Sequence, residues 1–199
     1  MEFDREQQEV AGTAARLIVE DGLDYASARR KAMHEHGAGG RRRRAPSDEA
    51  IEDEVRTHLA IFHADTQPAE LRALRAAALR WMRRLAEFRP HVGGAVWRGT
   101  ATRQSVVSID LYCGDVKAPE IALLNQGIAY ETVSEPLERD RHAITLVLGE
   151  RSDELDDWLT IHLNVLDLDD LRGALKPDAR GQTWRGDAAA LRRRLEQDR

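Results

Sequence analysis

The hydrophobic period of the chain changes at Pro90, and that change limits the folds open to it. From Leu71 to Phe88 the apolar positions Leu71, Leu74, Ala78, Trp81, Met82, Leu85 and Phe88 recur at three- and four-residue intervals, with arginines between them. That is the pattern of an amphipathic helix with one face on a core. Beyond Pro90 the apolar residues come in short alternating runs, which is the pattern of strands. Helices that lead and strands that follow predict an α+β fold, a mixed sheet packed with helices, rather than a doubly wound one.

The segment ahead of that helix also reads as helical. Val10, Ala14, Leu17 and Ile18 fall on one face, Gly22 breaks the stretch, and Asp24 is placed to cap a second helix through Ala32 and Met33. Residues 37–46, GAGGRRRRAP, read as a linker. Ser47 reads as an N-cap, with Asp48 and Glu49 at the positive end of a helix that carries Ile51, Val55, Leu59 and Phe62. Asp65 or Thr66 is placed to cap the helix that follows. After Pro90, residues 91–97 and 105–113 read as strands joined by an Arg-Gly turn. Residues 117–126 read as a short helix closed by Gly127, and strands are expected over 128–134, 142–149 and 158–166. Asp169 starts a short helix that ends before Pro177, and Asp187 caps a last one with Leu191 and Leu195. The expected organisation is a helical region over 1–66 that contains the linker, a core over 67–167, and a helical tail over 168–199.

Charge and cysteine content set limits on function. The 199 residues carry 30 Lys and Arg against 35 Asp and Glu, a net charge of −5. A uniformly basic nucleic-acid binder is not expected. The run Arg41 to Arg44 reads as a solvated linker rather than an RNA contact. No apolar run is long enough to span a bilayer, so no membrane association is expected. The one thiol, Cys113, excludes an internal disulfide and reads as a buried core residue in a cytoplasmic protein. His34-Glu35-His36 lacks the spacing of a helical metal site. A P-loop, a dinucleotide fingerprint and a nucleophile elbow are all missing from the sequence.

The chemistry lies in residues 85–113, LAEFRPHVGGAVWRGTATRQSVVSIDLYC. Val92-Gly93-Gly94 is followed by Arg98-Gly99 and then by Ser108-Ile109-Asp110-Leu111 on a strand. This succession resembles the nucleotidyltransferase superfamily of DNA-polymerase-β type, in particular its minimal bacterial members, over residues 67–167. Those proteins carry a hydrophobic residue and a Gly-Gly or Gly-Ser pair, then about ten residues that often include Arg-Gly, then Ser-Asp-x-Asp. The resemblance implies a nucleotidyltransferase-like mixed sheet, an NTP as ligand, and Mg²⁺ or Mn²⁺ as cofactor. In such a site glycines let backbone N–H groups approach a triphosphate. Two carboxylates at i and i+2 on a strand share a face and can hold two metal ions.

On that resemblance Asp110 and Ser108 are the candidate catalytic residues, and Asp110 is the candidate metal ligand. Gly93, Gly94, Arg98, Gly99, His162 and Asn164 are the candidate nucleotide-binding residues. The sequence departs from the pattern where the first carboxylate should stand, because that residue is Ser108. A third carboxylate is expected on a neighbouring strand, yet the polar face of residues 158–166 offers Thr160, His162 and Asn164. One Asp beside neutral groups is a weak Mg²⁺ trap. The expectation is therefore a weak or inactive relative that binds a nucleotide or a partner. The alternative is an active transferase that moves a nucleoside monophosphate from NTP to a protein, RNA or small-molecule hydroxyl. Minimal members of the superfamily pair with small helical proteins in toxin–antitoxin systems, so such a protein is the partner the resemblance implies.

Overall fold

The fold is described from a computed structural model, which gives the placement of residues 2–37, 45–136, 142–177 and 181–197. The chain divides into two compact units. The first comprises residues 1–68 with 100–105, and the second comprises 69–99 with 106–199. Arg41 to Arg44 lie outside the described residues.

The first unit holds three helices, α1 (Glu2–Asp21), α2 (Tyr25–Glu35) and α3 (Asp48–Phe62). The punctuation expected from sequence is present. Gly22 turns the chain at a φ of +68°, a left-handed conformation that suits glycine. Asp24 then caps α2 by accepting the Ser27 N–H at 2.9 Å. Ser47 caps α3 through the Ala50 N–H at 3.2 Å. Val10, Ala14 and Leu17 of α1, Ala28 and Ala32 of α2, and Ile51, Val55 and Leu59 of α3 are all buried in one cluster. Small residues where α1 meets α2 allow close helix packing. His58 and His63 read from their five-residue spacing as divergent, but their ring centroids are 5.8 Å apart because His63 lies beyond the end of α3.

The second unit is built on a six-stranded mixed sheet. Its strands are β1 (His91–Val92), β2 (Val107–Cys113), β3 (Glu131–Pro136), β4 (His142–Ser152), β5 (Asp157–Asp167) and β6 (Gly186–Asp187), in the order β3-β4-β5-β2-β1-β6. Among the described residues only the β2–β5 pair is parallel. The long helix α4 (Gln67–Arg84) buries Leu74, Ala78, Trp81 and Met82, as its period predicts. Glu150 of β4 ties it to the sheet by accepting from the Arg80 guanidinium and the Trp81 indole N–H. α6 (Ala118–Asn125) follows β2 and is closed by Gly127 at a φ of +68°. α7 (Ala188–Gln197) starts at Asp187, whose carboxylate accepts the Ala190 N–H at 2.7 Å. The fold is thus α+β with a mixed sheet, and no described helix is long and apolar enough to cross a membrane.

Four elements differ from the sequence expectation, one of them the helix expected from Asp169, which is only a 3₁₀ turn over Leu168–Leu171 capped by Asp167. Residues 91–97 are not one strand: β1 stops at Val92 and a short helix, α5 (Gly94–Arg98), takes over. Gly94 stands at a φ of +60° and cannot continue a strand, and the Trp97 and Gly99 N–H groups bond back to the Gly93 and Ala95 carbonyls at 3.3 and 2.9 Å, the i to i−4 pattern of a helix. The helix expected to reach Phe88 ends at Arg84. A 3₁₀ turn over Ala86–Phe88 then carries Phe88 into the core, and Arg89 leaves it at a φ of 47°. The fourth difference is β6, a two-residue strand too short to leave a periodic signal, which pairs with β1 at the sheet edge.

Candidate functional site

β2 runs through the middle of the sheet and is buried on both sides. Val107, Ile109, Leu111 and Cys113 face one side, and all are buried. Burial raises the Cys113 thiol above its ordinary pKa, which fits a core residue rather than a nucleophile. Ser108, Asp110 and Tyr112 face the other side. The parallel register with β5 sets Ser108 opposite His162 and Asp110 opposite Asn164. The antiparallel register with β4 adds Thr145 opposite Asn164.

These registers produce one connected polar network. The Asn164 amide nitrogen donates to Asp110 Oδ1 at 2.8 Å and to Ser108 Oγ at 3.0 Å. Its oxygen accepts from the Thr145 hydroxyl at 3.1 Å. The orientation of the amide follows, since a carboxylate can only accept. The second oxygen of Asp110, Oδ2, forms an ion pair with Arg185 Nε. Tyr112 lies beside the same carboxylate, and burial first, then the Asp110 charge, pushes its phenol up to about 12. Burial pulls the Arg185 guanidinium down, but the hydrogen bond and charge of Asp110 outweigh it, so its pKa stands above the ordinary arginine value. Asp110 is 5% exposed. A carboxylate that deep is tolerated because each of its oxygens has a donor.

The glycine-rich segment lies against the same network. Gly93 donates its N–H to the Ser108 carbonyl at 3.0 Å, so that donor is spent within the sheet. A Cβ on Gly93 would stand 3.7 Å from Arg185 Cγ and from the Trp184 carbonyl. Residues 184 and 185 therefore lie directly over the first glycine. Arg98 places its guanidinium 5.4 Å from the centre of the Trp184 ring, a cation–π distance. Gly99 ends α5 at a φ of +86°. The carbonyl of Val96 accepts from the buried Arg75 Nε at 3.1 Å, which satisfies the end of α5. Gly93, Ser108, Asp110, His162 and Asn164 thus share one face of the sheet or its border, while Gly94 opens α5 and Arg98 and Gly99 stand at its far end. His162 is half-buried, and burial lowers its pKa.

Sequence reasoning missed Arg185, although it completes the site. Its partner lies 75 residues away, and nothing in the local pattern WRGD marks it. Three contacts seat its segment. The Trp97 indole donates to the Thr183 carbonyl at 2.7 Å, and the guanidinium of Arg194 lies 3.7 Å from the centre of the Trp97 ring. Gly186 has no room for a side chain, since a Cβ there would be 2.1 Å from the Trp97 ring.

Mg²⁺ or Mn²⁺ does not fit this donor set. A two-ion site needs clustered carboxylates to offset the repulsion between the ions. Here the three positions that would supply them hold Ser108, Asp110 and Asn164. Asn164 turns its amide nitrogen, a donor and not a ligand, toward the aspartate. Arg185 supplies the positive charge that a cation would supply. Among the described residues no group of three or more His, Cys, Asp or Glu side chains could hold a metal ion. Compared with known protein families, with curated proteins and with solved structures, the chain finds no match in any of the three.

Proposed function

We propose that this chain is a nucleotidyltransferase-like protein with little or no transferase activity, which acts by binding a nucleotide or a partner. The observation that carries the reading is the Asp110–Arg185 ion pair. It satisfies the remaining carboxylate from within the chain. Metal-dependent nucleotidyl transfer works by neutralising charge on phosphates and activating an acceptor hydroxyl, and both tasks need an uncommitted negative cluster for the ions. The order of elements supports the resemblance behind the proposal. A strand ends at Val92, Gly93 leads into a short helix that opens at Gly94, and Asp110 sits on the next strand beside the polar face of β5. The helix at 94–98 does not weaken that resemblance, which rests on the Gly-Gly and Ser-x-Asp elements and their spacing. A small helical protein is the partner class the resemblance implies.

The experiment is a labelled-NTP transfer assay with Mg²⁺ and with Mn²⁺, using protein, RNA and the chain itself as acceptors. The expected result is transfer no faster than in Asp110→Ala. Robust transfer that Asp110→Ala abolishes would overturn the proposal and establish the active transferase instead.

A further inference from the structure

A second feature of the sheet-containing unit is a cleft of about 780 Å³, within the size range of small-molecule sites. It opens between the last turn of α4, the residues around β1, the segment that follows β5, and the start of α7. Its walls are aliphatic: Met82, Ala86, Pro90, Leu171, Leu175 and Pro177. Met82 and Pro90 are buried and form the floor, while Leu175 is left 44% exposed with its side chain in the cleft. The charged groups of the lining are Arg83, Arg89, Lys176 and Asp187. Asp187 is committed to the α7 cap. Arg83, Arg89 and Lys176 are exposed, and none of their side chains has a hydrogen-bond or ion-pair partner among the described residues. In a chain of net charge −5, three uncommitted cations around one apolar cleft are a local inversion of sign.

The conformation of Arg89 adds a second observation. It holds a φ of 47°, a region a side chain enters only at a cost. Glycine would sit there freely, yet the position carries a guanidinium at the cleft. The His91 ring is held by the Arg89 carbonyl at 2.9 Å and is buried, so it offers little stacking surface to a base.

We propose that this cleft binds an aliphatic carboxylate of medium chain length, with the chain along the aliphatic walls and the carboxylate among Arg83, Arg89 and Lys176. The aliphatic lining favours an alkyl chain over a planar base, and the basic rim favours an anion over a neutral lipid. Arginine forks match a carboxylate in two-point geometry.

The test is isothermal titration of the full chain with decanoate below its micellar range, with decanol, acetate and a nucleoside monophosphate in parallel. Decanoate is expected to bind saturably, with decanol, acetate and the nucleotide each weaker by about tenfold or more. The variants are Arg89→Gly, which removes the cation and relieves the φ, and Lys176→Ala. Together they are expected to weaken decanoate about tenfold or more and leave the thermal midpoint of the free protein no lower. Lack of saturable decanoate binding would overturn the proposal, as would equal affinity for decanol, or unchanged decanoate affinity in the folded double variant. Tighter binding of the nucleotide at this cleft would overturn it as well.

Discussion

Removing Arg185 should cost more than removing the charge it faces. Asp110 is almost fully buried, with 7% of its side chain exposed, whereas 38% of the Arg185 side chain reaches solvent. In Arg185→Ala the carboxylate keeps the Asn164 hydrogen bond but loses its counter-charge. A fully buried partner would give about 3–5 kcal/mol, and the exposure of Arg185 brings the expectation to about 2–3 kcal/mol. In Asp110→Asn the stranded group is the guanidinium, which can turn to water, so the expected cost is about 1 kcal/mol. The double variant strands neither charge and should cost less than the sum by about 1–2 kcal/mol. The assay is urea denaturation followed by tryptophan fluorescence. Trp81, Trp97, Trp158 and Trp184 all belong to the sheet-containing unit, so the signal reports that unit alone. Equal single-variant costs that add to within about 0.5 kcal/mol would refute the reasoning, because groups that do not interact are additive.

Three further predictions rest on the same site. Gly186→Ala places a methyl within the Trp97 ring, so β6 must leave β1 or the ring must turn. Overpacking of this kind costs about 1–3 kcal/mol, and the same urea titration would read it, with Gly114→Ala as a control of open surroundings. Tyr112 titrates near 12 when folded and near 10 when unfolded, so the unfolded chain releases its proton first. Stability is therefore full below pH 10 and falls between pH 10 and 12, and the urea midpoint of Tyr112→Phe should decline less across that range. His162 has its pKa lowered by burial, so below about pH 6.5 the unfolded chain binds more protons and stability falls on acidification. His162→Gln should flatten the midpoint between about pH 7 and pH 5, and an unchanged slope would count against that assignment.

The helical half was legible because its signals are local. Gly22, Asp24 and Ser47 act within a few residues of where they stand, and the apolar face of α4 repeats over 18 residues. The β2 strand and the sharing of a face by Ser108 and Asp110 were legible for the same reason. The α5 helix was not, since five residues are too few to show a period and Gly94 reads equally as a turn. Arg185 and β6 were out of reach in a different way. Their placement depends on a tryptophan 89 residues upstream of Gly186 and on a carboxylate 75 residues upstream of Arg185, and these are tertiary contacts with no local signature. The sequence could show which carboxylates were missing, but not that an arginine stands in the space they would have served.

The most direct measurement is a calorimetric titration of Mn²⁺ into the wild-type chain and into the Ser108→Asp/Asn164→Asp/Arg185→Ala variant. The account predicts no site-specific binding to the wild type, since Asp110 already has its counter-charge. It predicts clear binding once three carboxylates share the face and the arginine is gone. Stoichiometric Mn²⁺ binding by the wild type that is lost in Asp110→Ala would contradict it.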